Sequence, residues 1–252
     1  KLVEAGADVN ATDGKGNTVL MEALRHEQFP RVIIKLLEAG ANVNARGENG
    51  RTALLEAAAY EWSEVVSMLL DYGADIAQKD DNGMTPLLLA ASFNKDHEVI
   101  STLLNAGDDI NARDNDGRTA LILAAHHKYS PSNMLIKLLE VGSEVNAKDK
   151  NGNTALMEAA KNGKTVDVSV LLEFGANINA KNKDGDTALI LAASRNDHLR
   201  VIVELLKAGA DVNARNENGD TALLSAACRE RDYNIIGTLI KANADVNARD
   251  KG

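Results

Sequence analysis

Acidic turns that end in glycine are the residues of this chain whose types and spacing could bind a cation. In three of them a glutamate follows the glycine by six residues, and the pairs are Gly16/Glu22, Gly50/Glu56 and Gly152/Glu158. A calcium loop of the EF-hand type needs a carboxylate at its first position. That position holds Ala11, Ala45 and Ala147. The sequence therefore predicts no metal site here, and it predicts that the three glutamates are solvated or lie near helix caps.

Catalytic chemistry has no support in the remaining motifs. The sequence contains no His-Glu-x-x-His zinc motif, no Gly-x-Ser-x-Gly nucleophile motif and no phosphate-binding Gly-x-x-x-x-Gly-Lys-Ser/Thr loop. The five histidines are His26, His97, His126, His127 and His198. Only His126 and His127 are adjacent, and a metal centre would need further ligands beside them. We expect a protein that is not an enzyme and that holds no cofactor.

A column of basic residues recurs at one position, and its members are Arg46, Lys79, Arg113, Lys148, Lys181, Arg215 and Arg249. Stacked cations of this kind could form a track for nucleic acid. However, an acidic or amide residue follows nearly every member, no aromatic residues interleave for base stacking, and the formal net charge of −9 opposes phosphate binding. We interpret the column as a charge ladder balanced by neighbouring acids, and we expect no nucleic-acid partner.

A regular series of glycines sets the positions of these side chains. Its seven members recur at intervals of 33 to 35 residues and are Gly16, Gly50, Gly83, Gly117, Gly152, Gly185 and Gly219. A fixed period of this length is typical of repeat proteins, in which each unit contacts only its neighbours. Although 252 residues could form one large or two ordinary domains, the repetition predicts one array over residues 1–252 without a linker.

Each repeat contains signals for two helices. Asn or Asp before the glycine favours a turn, and a threonine two residues after the glycine can cap a helix rich in Leu, Ala and Ile. In the third repeat Pro86 follows this threonine, at a helical position where its missing N–H costs nothing. A second apolar stretch then ends at a helix stop, and the stops are Gly6, Gly40, Gly73, Gly107, Gly142, Gly175, Gly209 and Asn243. The sequence thus predicts a mainly α chain whose unit is a hairpin turn, a helix, a turn and a helix.

The single cysteine, Cys228, cannot form an internal disulfide, which favours a reducing compartment. No apolar run approaches the roughly 18 residues that a membrane-spanning helix needs, and the first residues lack a signal-peptide apolar region. We expect an intracellular, cytoplasmic monomer that contacts no membrane. Because the chain begins within a second helix and closes on the start of another hairpin, we also expect it to be part of a longer polypeptide.

The repeated motifs resemble those of ankyrin-repeat proteins. The similarity rests on Gly-Asn-Thr-Val-Leu at 16–20, Gly-Arg-Thr-Ala-Leu at 50–54 and Gly-Met-Thr-Pro-Leu at 83–87, on their counterparts at 117–121, 152–156, 185–189 and 219–223, and on Gly-Ala-Asp-Val-Asn-Ala at 6–11 and 209–214. The resemblance implies an ankyrin-repeat solenoid of stacked helix-turn-helix units with projecting β-hairpin turns, whose concave face binds a protein partner.

The family's usual histidine in the first helix is replaced by apolar residues, namely Met21, Leu55, Leu88, Ile122, Met157, Ile190 and Leu224. We expect apolar contact there in place of polar bonds between turns. In this respect the chain is similar to bacterial ankyrin proteins and to the ankyrin region of the 2-5A-dependent ribonuclease. The predicted repeats span 13–46, 47–79, 80–113, 114–148, 149–181, 182–215 and 216–249, with a partial repeat at 1–12 and the start of another at 250–252.

Specificity is expected where the repeats differ, because the scaffold itself is shared among unrelated functions. The variable positions are the residue after each regular glycine and the last residues of each first helix. Tyrosine and arginine are typical of binding hot spots, and the resulting hypothesis is a recognition patch of Arg51, Tyr60, Met84, Phe93, Arg118, His126 and His127. The residue after the glycine becomes acidic in the last two repeats, at Asp186 and Asp220. The alternative for the aromatic members is that Tyr60 and Phe93 pack against their own inter-helix turns, beside Trp62.

Three functions follow from this interpretation. The first is a non-enzymatic scaffold that holds a protein partner on its concave face. The second is a regulatory module of a larger protein that senses a small ligand or nucleotide, held between an aromatic side chain and a neighbouring arginine. The third is a mechanical spacer.

Overall fold

Fourteen α-helices lie in the residues that a computed structural model describes, which are 8–25, 30–60, 62–93, 97–127, 132–195, 197–228 and 233–251. The chain divides into two compact units, Lys1–Asn115 and Asp116–Gly252. The first unit contains α1 (Val19–Arg25), α2 (Pro30–Glu38), α3 (Ala53–Ala59), α4 (Ser63–Asp71), α5 (Pro86–Phe93) and α6 (His97–Asn105). The second contains α7 (Ala120–His126), α8 (Ser132–Glu140), α9 (Ala155–Lys161), α10 (Thr165–Glu173), α11 (Ala188–Ala193), α12 (Leu199–Lys207), α13 (Ala222–Cys228) and α14 (Tyr233–Lys241).

Threonine caps begin the first helix of each repeat, as the sequence predicts. Thr52 has extended backbone at the N-cap of α3, and its hydroxyl accepts a hydrogen bond from the backbone N–H of Leu55 at 3.3 Å. Thr119, Thr154 and Thr187 cap α7, α9 and α11 in the same way. These bonds satisfy N–H groups that have no partner within the helix.

Residues with positive φ end the second helices. At the end of α4, Gly73 has a φ of 83°, its N–H bonds to the Leu70 carbonyl, and the next N–H, of Ala74, bonds to the Leu69 carbonyl. Asn243 takes the same conformation after α14, with a φ of 66°. Glycine reaches this region without steric cost, and asparagine tolerates it. The predicted stop at Gly6 lies outside the described residues.

The hairpin turns are closed by hydrogen bonds but do not extend into strands in the described segments. The N–H of Gly47 donates to the Arg51 carbonyl at 2.8 Å, which closes the second turn. One isolated antiparallel bridge, between Thr12 and Thr18, is found in this part of the chain. Within each unit, successive turns also bond to each other, as when the N–H of Asp81 donates to the Asn49 carbonyl at 2.9 Å.

The helices form two layers within each unit. First helices contact the first helices of adjacent repeats, α3 against α1 and α5, and α9 against α7 and α11. They are buried nearly all round, as residues 53–58 of α3 illustrate, whereas α4 buries one face through Val65, Val66 and Leu69. Because a single helix pair would leave the first helix uncovered, the stability of each repeat depends on its neighbours.

Apolar side chains fill the position of the family's histidine. Six of the seven are buried, namely Met21, Leu55, Leu88, Ile122, Met157 and Ile190. Polar bonds between repeats come from asparagines elsewhere. The Asn44 side-chain amide donates to the Gly73 carbonyl at 2.9 Å, and its oxygen accepts from the N–H of Asp75 at 2.8 Å.

Four members of the basic column donate to backbone carbonyls, a contact that the interpretation as a ladder balanced by acids does not include. The donors Arg46, Lys148, Lys181 and Arg215 reach the carbonyl oxygens of Lys79, Lys181, Arg215 and Arg249 at 2.9, 2.8, 2.6 and 2.8 Å. Each acceptor belongs to the equivalent basic residue of the next repeat, one repeat spacing away. Arg46 adds an ion pair with Asp81 at 3.4 Å. These side chains therefore join consecutive turns.

Candidate partner-binding grooves

A groove in the first unit brings together side chains from three successive repeats. We define the first groove by its lining residues, Arg25, Asn49, Arg51, Glu56, Tyr60, Asp80 and Asn82, which enclose about 220 Å³. Arg25 comes from the end of α1, Glu56 from α3, and Asp80 from the third hairpin turn. Two members of the predicted patch, Arg51 and Tyr60, thus share one site.

Buried Glu56 organises the charges of the first groove. Glu56 is 2% exposed, and its Oε1 accepts hydrogen bonds from Nη2 and Nε of Arg25 at 2.7 and 3.2 Å. Its Oε2 accepts from Nη1 of Arg51 at 3.3 Å. The Nε of Arg51 also lies 3.8 Å from Oδ2 of the buried Asp80. Each carboxylate of this groove therefore faces a guanidinium, and the two kinds of charge balance.

Glu56 and Glu158 lie in the first turns of α3 and α9, near the helix caps as expected, but they are buried and not solvated. The Oε2 atom of Glu158 lies 2.8 Å from Nδ1 of His126. Both glutamates meet a side chain from the end of the preceding first helix, about one repeat away in sequence. Glu22 remains partly exposed and pairs with Arg25 of its own helix at 3.0 Å.

We expect Glu56→Gln to lower the free energy of unfolding of the first unit by about 1.5–3 kcal/mol, because buried hydrogen bonds to charged groups contribute this much. The matched control is Glu22→Gln, which loosens the more exposed pair with Arg25 and should cost about 0–1 kcal/mol. Urea unfolding of both variants is the measurement. Equal, small losses would contradict a structural role for Glu56.

The two aromatic members of the patch are accessible. Tyr60 is 47% exposed, while its ring stacks on Trp62 with centroids 5.7 Å apart. Phe93, at the end of α5, is 59% exposed. Tyr60 therefore rests on its inter-helix turn, as the alternative holds, and still presents surface to solvent.

Met84 differs from the other members because it is 7% exposed. Its backbone closes the third turn, accepting from the N–H of Asp80 at 3.0 Å and donating to the Asp80 carboxylate at 2.9 Å. The apolar side chain is thereby held inside the packed repeat. A side chain this deeply buried offers a partner little surface.

The remaining members lie in the second unit. Arg118 is paired with Asp116 of its own turn at 3.3 Å. His126 and His127 are exposed, with rings in an edge-to-face arrangement 6.1 Å apart. Partial burial, the neighbouring His126 and the Lys164 ammonium lower the pKa of His127, which favours its neutral form.

A second groove lies wholly in the second unit, and only its acidic residues, Asp186 and Asp220, stand out in the sequence. We define it by Asp186, Ile190, Leu191, Ser194, Asn216, Asp220, Ser225 and Cys228, which enclose about 320 Å³. The Asn216 amide donates to Oδ1 of Asp186 at 2.9 Å and lies 3.4 Å from Oδ2 of Asp220. Burial raises the pKa of the Asp186 carboxyl, and the nearby Asp184 and Asp220 raise it further.

Neither metal binding nor membrane insertion gains support from the described segments. No group of three or more His, Cys, Asp and Glu side chains in them could hold a metal ion. None of their helices combines the length and the apolar character needed to cross a membrane.

Repeated helix pairs joined by hydrogen-bonded turns, with open grooves between repeats, define a repeat protein that offers a surface for contact. A family model described as ankyrin repeats (three copies) matches residues 1–80, 77–149, 128–216 and 168–250. The chain belongs to the ankyrin-repeat family. No curated protein matches it. Ankyrin repeats are generally protein-protein interaction modules.

Proposed function

We propose that the chain is a non-enzymatic scaffold that binds a protein partner on the face formed by the hairpin turns and first helices, which the family resemblance makes concave. The proposed contacts are Arg51, Tyr60, Phe93, Arg118, His126 and His127. The observation that carries the proposal is the first groove, where Arg51 and Tyr60 meet beside the side chains of Asn49 and Asn82.

The first groove is organised before a partner arrives. Glu56 holds the Arg51 guanidinium, and Trp62 supports one face of the Tyr60 ring. Side chains that are already ordered lose less rotamer entropy on binding. Arginine and tyrosine are also the residue types that contribute most to hot spots. These features support a protein contact more than a spacer role.

We expect Tyr60→Ala/Phe93→Ala to reduce capture of the partner at least tenfold, because two hot-spot aromatics are removed. The experiment is affinity capture from the source organism with quantitative mass spectrometry. The matched control is Tyr72→Ala, which removes a ring that is 45% exposed at the end of α4, away from the grooves.

The control variant should retain the partner. The proposed surface would be contradicted if the double variant and the control lost the same amount of captured partner. It would also be contradicted if neither variant lost any partner while all three proteins had the same thermal stability. Unfolding midpoints of all three proteins separate loss of binding from loss of fold.

A small-ligand or nucleotide sensor is the second candidate, because Tyr60 and two arginines line one pocket. The volume of about 220 Å³ is below the roughly 300–1,000 Å³ of typical ligand sites. It suits a single side chain better than a nucleotide. A thermal-shift panel of nucleotides and metabolites tests this candidate, since a ligand that binds only the folded state raises the midpoint.

The proposed partner is a protein and not a nucleic acid, and the described members of the basic column support this because several are engaged with backbone carbonyls. A monomeric, intracellular protein remains part of the proposal. Light scattering and cell fractionation test these two points.

A further inference from the structure

We propose that Glu158 positions His126 for the partner, so that the outward ring nitrogen, Nε2, accepts a hydrogen bond from an N–H or O–H group of the partner protein. This inference rests on the proposed function, in which His126 is a contact, and it assigns the chemistry of that contact. Glu158 acts through His126 and does not itself touch the partner, because it is 6% exposed.

The hydrogen bond between the two side chains fixes which ring nitrogen carries the proton. Oε2 of Glu158 lies 2.8 Å from Nδ1 of His126. An ionised carboxylate can only accept, so Nδ1 must donate, and the free lone pair of the neutral ring then lies on Nε2. No other group among the described residues forms a hydrogen bond with the His126 ring. Because 58% of this side chain is exposed, Nε2 is left for a donor from outside the chain.

The fifth repeat also holds the backbone of His126. The side-chain amide of Asn162, at the C-cap of α9, donates to the His126 carbonyl at 2.8 Å. Lys164 donates to the Ala124 carbonyl, two residues earlier, at 3.1 Å. These acceptors belong to the last turn of α7, whose C=O groups have no partner within the helix. Since both the ring and the main chain are held, His126 loses less conformational entropy when a partner binds.

The first groove contains the same arrangement at the same register. Glu56 and Glu158 each follow the regular glycine by six residues, and Arg25 and His126 each follow the glycine of the preceding repeat by nine. Glu56 accepts two hydrogen bonds from the Arg25 guanidinium, as Glu158 accepts one from the imidazole. A buried glutamate at this position thus orients the side chain that ends the preceding first helix. Histidine differs from arginine because its second nitrogen can accept.

The first test locates the ring proton in the chain without a partner. NMR correlation of the ring nitrogens with the carbon-bound ring protons is measured at about pH 8.5, where histidine is normally neutral. We expect His126 to be the Nδ1–H tautomer, and His126→Gln assigns its signals. Glu158→Leu should abolish this tautomer preference. The control is Glu173→Leu, which removes an exposed carboxylate at the end of α10 and should leave the His126 signals unchanged.

The second test measures partner capture by the same two variants. Leucine fits the position of Glu158, since Leu89 and Leu123 are buried at the equivalent position of other first helices. Unfolding midpoints verify the fold, and the spectrum of the parent chain tests the proton position in any case. We expect Glu158→Leu to capture about three- to tenfold less partner than the parent, because one positioned hydrogen bond is lost. Glu173→Leu should capture as much as the parent.

An Nε2–H tautomer or a doubly protonated ring in the parent would overturn the inference, and so would a tautomer that Glu158→Leu leaves unchanged. Undiminished capture by Glu158→Leu would overturn it as well. The tautomer is measured without a partner, and Tyr60→Ala/Phe93→Ala tests the first unit. Any of these failures would therefore leave the scaffold proposal standing.

Discussion

Lys164→Met is expected to lower the free energy of unfolding of the second unit by about 3–5 kcal/mol, because it leaves a buried charge without its partner. Asp167 is fully buried in the first turn of α10, and its carboxylate contacts the Lys164 ammonium. Neither carboxylate oxygen accepts a hydrogen bond of good geometry. Lys164 also donates to the Ala124 carbonyl at 3.1 Å, so it is held in place.

The double variant Lys164→Met/Asp167→Val should recover this loss and can exceed the parent by about 1–4 kcal/mol, as apolar replacements of buried pairs do. Valine fits the position of Asp167, since Val65, Val99 and Val201 are buried at the equivalent position of other second helices. Hydrogen exchange in α9 and α10 measures the local effect. Lys207→Met, at the exposed end of α12, is the control. A double variant as unstable as the single one would contradict this account.

Asp108→Asn is expected to stabilise the first unit by up to about 3 kcal/mol at pH 7 and to change little at pH 4. Burial raises the pKa of Asp108 from 3.8 to about 6, against the opposing effect of its hydrogen bond from the Leu87 N–H at 2.8 Å. The folded state therefore holds this proton more tightly than the unfolded state. The stability that Asp108 contributes is therefore greatest below pH 3.8 and is lost between pH 3.8 and about 6, by about 1.4 kcal/mol per pH unit.

Urea unfolding of parent and variant between pH 4 and pH 7 provides the test. Asparagine retains an oxygen acceptor for the Leu87 N–H but does not titrate in this range. Asp71→Asn, which changes an exposed carboxyl at the end of α4, should follow the parent profile. If the free energy of unfolding changed with pH in the same way for the parent and for Asp108→Asn, folding would not change the pKa of Asp108, and the prediction would be wrong.

Local signals were sufficient to predict the repeat architecture. Thr52 and Pro86 begin helices, and Gly73 ends one, because capping and positive φ are determined by the residue and its close neighbours. Burial of Leu55 followed from its apolar type and register.

The charges of the grooves could not be predicted in the same way. Glu56 resembles a surface residue within its own helix, and its partner Arg25 precedes it by 31 residues. Asp167 and Asp108 carry a detectable signal, because each is an acid at a register where most repeats have an apolar residue or alanine. Comparison of the repeats with one another, position by position, would have identified both.

The bonds that join consecutive turns have a consequence for how such a chain can grow. Asn44 and Asn146 donate to the carbonyls of Gly73 and Gly175, and four members of the basic column also end on main-chain oxygens. Every residue carries such an acceptor, whatever its side chain. In a duplicated repeat, these asparagine and basic side chains would again face backbone carbonyls of the adjacent repeat. Gene duplication can therefore lengthen the protein without compensating substitutions. Divergence is then free to act on the side chains that line the grooves.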